Sequence, residues 1–462
     1  MSAAPHPGDT TDNGRVWIRS PLAILAEGAG GGVVVENGRL VELVPTGGEP
    51  TQRPDRTFDA SSHVVIPGLV NTHHHMFQTL TRAHPMAINK SLWPWIQTLY
   101  PIWGRRMNPA AFRLASRLAM TELMMSGCTC ASDHHYLFTP GLEDAMDVQA
   151  EEAGALGLRM TLTRGALDLR AGDGEQAVAP PNVIQATDTI LADCERVLAR
   201  YHDRSDGAML QVALAPNAPF DVSFELMRET ARLSAEHKCG LHTHLVETRA
   251  EAEFVRSAHG CDAVDFLDKC GWLNERVWLA HAIHFDDSEI ARLGRHGVGI
   301  CHCPTSNMVL ASGSCRTREL EAAGCKVGLG VDGSASNDNS NLMESLRHAL
   351  MLNRLTYGAE AISHLDVLRW ATKGSAACLG RADIGEIAVG KQADLALFTL
   401  DELRFSGAGD PLAALVLCGA HHADRVMVKG RWTVEDGEPI GVDLEKLRFE
   451  HGAAAKAFVE TF

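Results

Sequence analysis

Short apolar runs alternate with longer stretches of helical character through the middle of the chain. Segments 221–237 and 286–295 are two such predicted helices, and each is opened by an Asp that we expect to cap it. Repeats of strand then helix build a parallel sheet, and eight of them close a barrel, so we predict an α/β fold of the (β/α)8 type. The predicted strands span 64–75, 129–133, 160–164, 210–215, 240–245, 277–281, 298–303 and 327–332.

The two ends of the chain show short alternating β-runs and turns in place of this repeat. Residues 33–36 and 40–44 flank Asn37-Gly38, a strong hairpin signal, and similar runs return after residue 394. We expect both ends to form one small β-sandwich module beside the barrel. The predicted boundaries are a disordered tail (1–13), the first part of the sandwich (14–66), the barrel (67–384), and the second part of the sandwich with a terminal helix (385–462).

Composition narrows the class of protein. The chain has 462 residues, of which 45% are hydrophobic and 22% charged, and it contains no long apolar tract, so we expect a large core and no membrane span. A formal net charge of −16 argues against a nucleic-acid partner and favours a small neutral substrate. Residues 1–13 lack the features of a signal peptide, which favours a cytoplasmic location. The twelve cysteines form no C-x-x-C pairs, so we interpret them as buried thiols.

Polar residues stand at or just beyond the C-terminal ends of the predicted strands. Active sites of α/β barrels are assembled at that face from the ends of several strands. The residues in these positions are His73, His75, Asp133, Arg164, Asn217, His244, His281, His302 and Asp332.

Four of these residues make a plausible metal site. Side chains alternate along a strand, so His73 and His75 point to one face. His244 lies near the end of a later strand, with His242 deeper on the same face in a supporting role. Asp332 is a carboxylate at a buried strand end, which needs a cation to offset its desolvation. This N3O set suits one divalent ion, Zn²⁺ or Fe²⁺, with a position left for water.

Two further residues are candidates for catalysis. Glu247 follows His244 by three residues, where the strand has become a loop, so its carboxylate can reach over the metal and move protons without ligating. His281 ends the run 277–281, and we expect it to contact the reacting water or the substrate.

Recognition of a small substrate would use side chains near strand ends and in the long first loop. Trp93 and Trp95 have an alternative role as core anchors of that loop. The candidate substrate contacts are Gln78, Arg82, Trp93, Trp95, Arg164 and Asn217.

These motifs resemble the amidohydrolase superfamily, in its branch of mononuclear deaminases and triazine hydrolases. The resemblance covers nearly the whole chain. Within the branch, the loops HHHMFQTLTR (73–82), WPWIQTLYPIW (93–103) and DHHYLF (133–138) look like those of bacterial 8-oxoguanine deaminases. The motifs that carry the wider resemblance are PGLVNTHHH (67–75), HLVE (244–247), LAH (279–281), HCPTSN (302–307), VDGSASN (331–337) and GEIAVGKQAD (385–394).

The resemblance implies a hydrolytic deaminase of a purine-like heterocycle, with 8-oxoguanine converted to urate and ammonia. It implies His73, His75, His244 and Asp332 as ligands of one ion, most simply Zn²⁺, and Glu247, His281 and Asp332 as the residues that handle protons. Homo-oligomers are expected by analogy alone. The alternative functions are a hydroxytriazine (alkyl)aminohydrolase and a deaminase of isocytosine or guanine.

Two other interpretations are weaker. A binuclear amidase would carry a carboxylated lysine at the end of the fourth strand, and the run 210–217 contains no lysine, which favours a single metal. A non-catalytic scaffold would have lost metal ligands, whereas the full set is present here.

Overall fold

The computed structural model describes residues 14–169 and 179–460. The predicted disordered tail, 1–13, lies outside the described residues. The hairpin prediction is confirmed, because Asn37 and Gly38 form a two-residue turn with φ of 51° and 77° between the third and fourth strands. The strands before the barrel are β1 (Val16–Arg19), β2 (Ala23–Ile24), β3 (Gly32–Glu36), β4 (Arg39–Val44), β5 (Arg56–Asp59) and β6 (His63–Pro67).

The barrel prediction is confirmed by an eight-stranded sheet in which each strand pairs in parallel with the next. A backbone hydrogen bond of 3.0 Å from Thr72 N to the carbonyl oxygen of Leu329 joins the first strand to the last. The barrel strands are β7 (Leu69–Asn71), β8 (Cys128–Ser132), β9 (Arg159–Ala166), β10 (Leu210–Pro216), β11 (Gly240–Leu245), β12 (Val277–His281), β13 (Gly299–His302) and β14 (Lys326–Leu329).

The first and last barrel strands end or begin at other residues than predicted, and both are shorter than the predicted runs 64–75 and 327–332. The run 64–75 is not one strand, because the chain leaves β6 at Gly68 and enters β7. A Cβ at Gly68 would lie 2.2 Å from the side chain of Thr129, so the backbone of β7 approaches β8 at a distance that only glycine permits. At the other end, β14 stops at Leu329, and Asp332 lies beyond it with φ of 68°.

Helices follow the strands as expected, with one correction. Asp286 caps its helix through a capping box, as predicted. Asp221 does not cap the helix after β10, because that helix begins at Phe224 and its cap is Ser223. The α-helices are α1 (Leu92–Arg106), α2 (Pro109–Met125), α3 (Ala145–Leu156), α4 (Thr187–Tyr201), α5 (Phe224–His237), α6 (Arg249–His259), α7 (Ala263–Lys269), α8 (Asp287–Arg295), α9 (Pro304–Val309), α10 (Thr317–Ala323), α11 (Leu342–Tyr357), α12 (His364–Arg369), α13 (Ser375–Cys378), α14 (Pro411–Ala414) and α15 (Leu444–Val459). In the part of the chain that the structure describes, none of them has the length and apolar character needed to cross a bilayer.

Strands from both ends of the chain share one sheet. The last four strands are β15 (Leu395–Thr399), β16 (Arg425–Val428), β17 (Arg431–Glu435) and β18 (Glu438–Pro439). Their six-stranded sheet runs β18-β17-β16-β15-β6-β2, and the other terminal sheet runs β4-β3-β1-β5. Buried side chains from both sheets pack in one apolar cluster, among them Val33, Leu40, Val65 and Leu395. This arrangement is a sandwich of two terminal sheets beside the barrel.

A buried ion pair joins the barrel to these terminal strands. Arg159 opens β9, and its Nε and Nη2 lie 2.6 Å and 3.0 Å from the two carboxylate oxygens of Asp394. Neither side chain is more than 1% exposed. The backbone N–H of Lys429, just after β16, also donates to Asp394 over 2.8 Å. The end of the motif 385–394 therefore fixes the start of β9 in the barrel against the terminal sheet.

Candidate metal centre and active site

The four predicted ligands converge at the C-terminal face of the barrel. His73 and His75 follow β7, His244 lies in β11, and Asp332 lies three residues beyond β14. Asp332 Oδ1 is 3.2 Å from His73 Nε2 and 3.4 Å from His75 Nε2, and the Nε2 atoms of His75 and His244 are 3.1 Å apart. A tetrahedral zinc ion with ligands about 2.0–2.1 Å away has ligand–ligand edges of roughly 3.3 Å. The observed spacing therefore fits one ion.

Each of the three imidazoles is turned inward by a partner on its outer nitrogen. Nδ1 of His75 donates to the carbonyl oxygen of His134 over 2.7 Å, and Nδ1 of His244 donates to that of Asn217 over 2.8 Å. Nδ1 of His73 is 2.7 Å from Nε2 of His242, whose own Nδ1 donates to the carbonyl oxygen of Trp278. Such partners fix the tautomer and orientation of metal-binding histidines.

The contact between His75 and His244 indicates what kind of group can bind between the two rings. Both rings donate from Nδ1 to a carbonyl oxygen, so in the neutral form both Nε2 atoms carry lone pairs that face each other. Protonation does not relieve this contact, because burial and neighbouring histidines lower the pKa of His75 to about 3 and that of His244 well below 6.5. Two lone pairs at this distance repel unless a cation lies between them. The donor set therefore fits a divalent metal ion.

Asp332 is held at the site by its own backbone conformation. Its positive φ of 68° is rare for a residue other than glycine and is typical of strained functional positions. Gly333 N donates to Oδ1 over 2.7 Å, and Ser336 Oγ donates to Oδ2 over 3.2 Å. Burial raises the pKa of Asp332, but His73, His281 and His75 outweigh it and hold that pKa well below 3.8. The carboxylate is thus ionised and available as a ligand.

Glu247 and His281 lie beside the predicted ligands. His281 Nε2 is 3.5 Å from Glu247 Oε2 and 3.8 Å from Asp332 Oδ2, and its Nδ1 donates to Asn307 Oδ1 over 2.9 Å. Burial lowers the pKa of His281, but the carboxylates of Glu247 and Asp332 outweigh it and raise the pKa above 6.5. Burial raises the pKa of Glu247 above 4.5. Both pKa values are therefore raised by the surroundings, and such shifts are typical of acid–base residues.

The loop that carries Glu247 is fixed by a second buried carboxylate. Glu251 accepts hydrogen bonds from Val246 N (3.0 Å) and Glu247 N (2.8 Å), and burial raises its pKa to about 7. Val246 itself has a positive φ of 47°. Glu251 thus holds the unusual turn that points Glu247 at the site.

His134 is a fifth imidazole at this centre that the sequence analysis did not select. It is fully buried, its Nε2 donates to the carbonyl oxygen of Ala215 over 2.9 Å, and its Nδ1 has no partner. Its ring stacks on that of His244, with centroids 4.6 Å apart. The nitrogens of His73, His75, His134 and His244 together could hold a metal ion. The signal lay in the motif 133–138, from which only Asp133 was singled out.

Three of the predicted substrate contacts line the cavity above the metal site. Gln78, Trp95 and Asn217 share its wall with Glu247 and His281. Trp95 also donates from Nε1 to the carbonyl oxygen of Ala335 over 2.9 Å, so its anchoring role and its cavity position coexist. Tyr100 and Tyr136 also line this cavity, and no periodicity or strand-end position had marked them.

The structure does not bring Arg82, Arg164 or Trp93 to this cavity. Arg82 pairs with Glu122 and lines a separate groove beside α2 and α15. Arg164 is fully buried in a pair with Asp193 (2.6 Å), and its guanidinium lies 3.7 Å from the centroid of the Phe138 ring. Arg164 near the end of β9 turns outward to α4, and Arg82 in the long first loop turns to α2, so position in sequence did not show where either side chain points. Trp93 packs on Phe220 instead, with ring centroids 5.0 Å apart.

Comparison with known proteins identifies the family. The model of the amidohydrolase family matches residues 64–433. The chain belongs to the amidohydrolase family. It is therefore an enzyme, a hydrolase, and the resemblance drawn from its motifs is confirmed.

This amidohydrolase is similar to proteins of known activity over most of their length. It is 58% identical over 448 residues to the 8-oxoguanine deaminase of Pseudomonas aeruginosa, covering 96% of this chain and 99% of that one. It is 36% identical over 391 residues to the hydroxydechloroatrazine ethylaminohydrolase of Pseudomonas sp. (strain ADP), covering 82% and 80%. Among solved structures, atrazine chlorohydrolase from Arthrobacter aurescens TC1 complexed with zinc superposes with a TM-score of 0.88 at 28% identity, covering 95% and 100%.

Proposed function

We propose that this amidohydrolase is a zinc-dependent deaminase that converts 8-oxoguanine and water into urate and ammonia. The observation that carries the substrate is the 58% identity to an 8-oxoguanine deaminase, which extends over 96% of this chain. The chemistry has separate support in the converging Nε2 atoms of His73, His75 and His244 beside Asp332.

In this proposal His73, His75, His244 and Asp332 hold one Zn²⁺ ion. Support for zinc comes from the N3O donor set, its spacing of 3.1–3.4 Å and the zinc in the related chlorohydrolase. Bound there, the ion would supply Lewis-acid chemistry, lowering the pKa of water toward neutrality so that it can attack the ring.

Glu247 is the proposed proton carrier. Its Oε1 is fixed by Ser312, so Oε2 is the oxygen left to take the proton of the attacking water. It then gives that proton to a ring nitrogen next to C2, the carbon that bears the amine. A carboxyl group whose pKa is raised by burial is suited to both steps, because it holds a proton more readily than an exposed carboxylate does and can still release it.

His281 and Asp332 would complete the reaction. His281 is held by Asn307 with Nε2 toward the site, so it can donate to the oxygen that adds to C2 and stabilise the charge that develops there. Asp332 Oδ2 can take the remaining proton of the hydroxyl group on C2 and pass it to the amine, after which the C2–N bond breaks and ammonia leaves. The new C2–O bond and the lost C2–N bond account for urate as product.

The proposed function is tested by ammonia release. Zinc-loaded protein is offered 8-oxoguanine in parallel with guanine, isocytosine and an N-ethylamino hydroxytriazine. We expect 8-oxoguanine to have the highest kcat/KM by far. The similarity to the ethylaminohydrolase suggests an alternative outcome, in which the enzyme prefers the triazine and releases ethylamine. That result would be consistent with the family but would contradict the proposed substrate.

We also propose that residues 14–66 and 385–462 act as one module, supported by the antiparallel pairing of β6 with β15. A homo-oligomer and a cytoplasmic location stay predictions. Light scattering of the purified protein tests the first, and fractionation of the source cells tests the second.

A further inference from the structure

The C-terminal helix packs on the segment that follows the predicted ligand His75. That segment is a 3₁₀ helix, Met76–Thr81, and all six of its residues are buried. The helix α15 lies against it and also contacts α1 and α2. Runs of 3₁₀ helix longer than three or four residues are uncommon, because their hydrogen bonds have poor geometry. The position of this 3₁₀ helix therefore depends on contacts from outside it.

His451 of α15 supplies one such contact, through the hydroxyl group of Thr79. His451 Nε2 and Thr79 Oγ1 are 3.0 Å apart, although 372 positions separate the two residues in sequence, and both residues are buried. The Thr79 hydroxyl donates its only proton to the carbonyl oxygen of Met76 over 3.1 Å. Its oxygen is therefore the acceptor toward His451, and His451 Nε2 carries the hydrogen. Burial lowers the pKa of His451 to about 4, so the ring donates in its neutral form.

These hydrogen bonds lead to the peptide next to a predicted metal ligand. Met76 directly follows His75, and its N–H donates to Asp133 Oδ1 over 2.8 Å while its carbonyl oxygen accepts from Thr79. The backbone after His75 is thus held on one side by the residue that follows β8 and on the other side by α15. Ligand side chains must be held within about 0.5 Å of their productive positions. Support for this backbone is therefore support for the metal site.

A second ring holds the same 3₁₀ helix at its other end. Trp103 Nε1 of α1 donates to Thr81 Oγ1 over 3.0 Å, and the Thr81 hydroxyl donates to the carbonyl oxygen of Gln78 over 3.1 Å. The arrangement repeats the contact from α15, with a ring N–H, a threonine and the carbonyl oxygen three residues before that threonine. Its target lies further along the chain from His75. It therefore provides an internal comparison for the contact from α15.

We propose that His451 is a positioning residue for the metal centre, which acts through Thr79 on the backbone that follows His75. The inference rests on the metal site of the proposed function and adds the C-terminal helix to the parts of the chain that set metal affinity. It assigns no contact between His451 and the metal or the substrate.

Zinc affinity, measured by competition with a chelator, tests this role in the absence of substrate. His451→Leu removes the N–H donor, and we expect zinc to bind about 10-fold more weakly, the lower end of the effect of residues that orient metal ligands. His451→Gln places an amide N–H near the position of Nε2 and should restore most of the affinity. Equal losses in the two variants, or wild-type affinity in His451→Leu, would overturn the proposal.

Thr79→Val provides a second test that leaves His451 in place. Valine has nearly the shape of threonine but lacks the hydroxyl group, so zinc affinity should again fall. Because His451 acts through Thr79, the double variant Thr79→Val, His451→Leu should bind zinc no more weakly than Thr79→Val alone. Losses that multiply in the double variant would contradict the inference, because the two residues would then act independently.

Thr81→Val is the matched control, since it removes the corresponding hydroxyl group at the other end of the 3₁₀ helix. It should retain a zinc affinity near that of the wild type. A loss equal to that of Thr79→Val would contradict the role of His451, because loosening the helix at either end would then be sufficient. A wild-type protein that binds no zinc would instead remove the metal site of the proposed function, so the two failures are distinguishable.

Discussion

Ser312 Oγ donates a hydrogen bond of 2.8 Å to Oε1 of Glu247 and so divides the tasks of the two carboxylate oxygens. Oε2 is left facing His281 Nε2 at 3.5 Å. Glu247 is 4% exposed and Ser312 is 8% exposed, so bulk water does not compete strongly for either group. A single serine after α9 therefore helps determine which oxygen of Glu247 is free to carry a proton.

Replacement of Glu247 by Gln should remove turnover and leave the metal site intact. Gln keeps the shape and the contact to Ser312, but it cannot bind and release a proton. We expect kcat to fall by about 10²–10⁴, the usual contribution of a general acid–base residue. The measurement is ammonia release together with zinc content. Glu253→Gln, on the exposed face of α6, is the matched control. A Glu247→Gln enzyme with wild-type activity would exclude Glu247 from the mechanism.

Ser312→Ala should move the acidic limb of the pH profile. Burial raises the pKa of Glu247, and the Ser312 hydrogen bond partly offsets this by stabilising the ionised form. Glu247 must be ionised to take a proton, so kcat/KM falls as pH drops through its pKa. Loss of the donor raises that pKa, and we expect the limb to shift upward by about one pH unit. Ser314→Ala, whose hydroxyl bonds to exposed Thr356, should leave the profile unchanged. A downward shift in Ser312→Ala would contradict the assignment.

His242 should govern metal affinity, although it is not among the proposed ligands. Its Nε2 accepts from His73 Nδ1, and its Nδ1 donates to Trp278, so it keeps His73 Nε2 directed inward. His242→Leu should weaken zinc binding about 10- to 100-fold, measured by competition with a chelator. His237→Ala, at the end of α5, serves as control. If His242→Leu bound zinc as tightly as the wild type, the orientation of His73 would have to be fixed by other contacts.

The fold was predictable because its signals are local and repeated. Each barrel strand is a short apolar run, and each predicted ligand lies at or beyond the end of one. The break between β6 and β7 at Gly68 was not predicted, because the close contact at this position is with Thr129, sixty-one residues away in sequence. Local sequence patterns do not predict close contacts between segments that are distant in sequence.

The residues of the candidate site were likewise predictable only where the signal is local. Alternation along a strand placed His73 and His75 together, whereas Arg164 was misplaced because its partner, Asp193, lies on α4. His134 was overlooked because its importance depends on the stacking of its ring on His244. Tertiary contacts decide where a long or aromatic side chain points, and sequence position shows only where it starts.

Asp394→Asn should destabilise the enzyme without acting on its chemistry. The substitution leaves the guanidinium of Arg159 buried without its counter-charge, which costs about 3–5 kcal/mol in the free energy of unfolding. Urea unfolding measures the loss, and Asp401→Asn, on an exposed loop after β15, should change it by less than about 0.5 kcal/mol. The double variant Arg159→Met, Asp394→Leu removes both charges and should recover much of the loss. A double variant less stable than Asp394→Asn would contradict this expectation. It would mean that the ion pair stabilises the contact between the barrel and the terminal sheet by more than the cost of burying its charges.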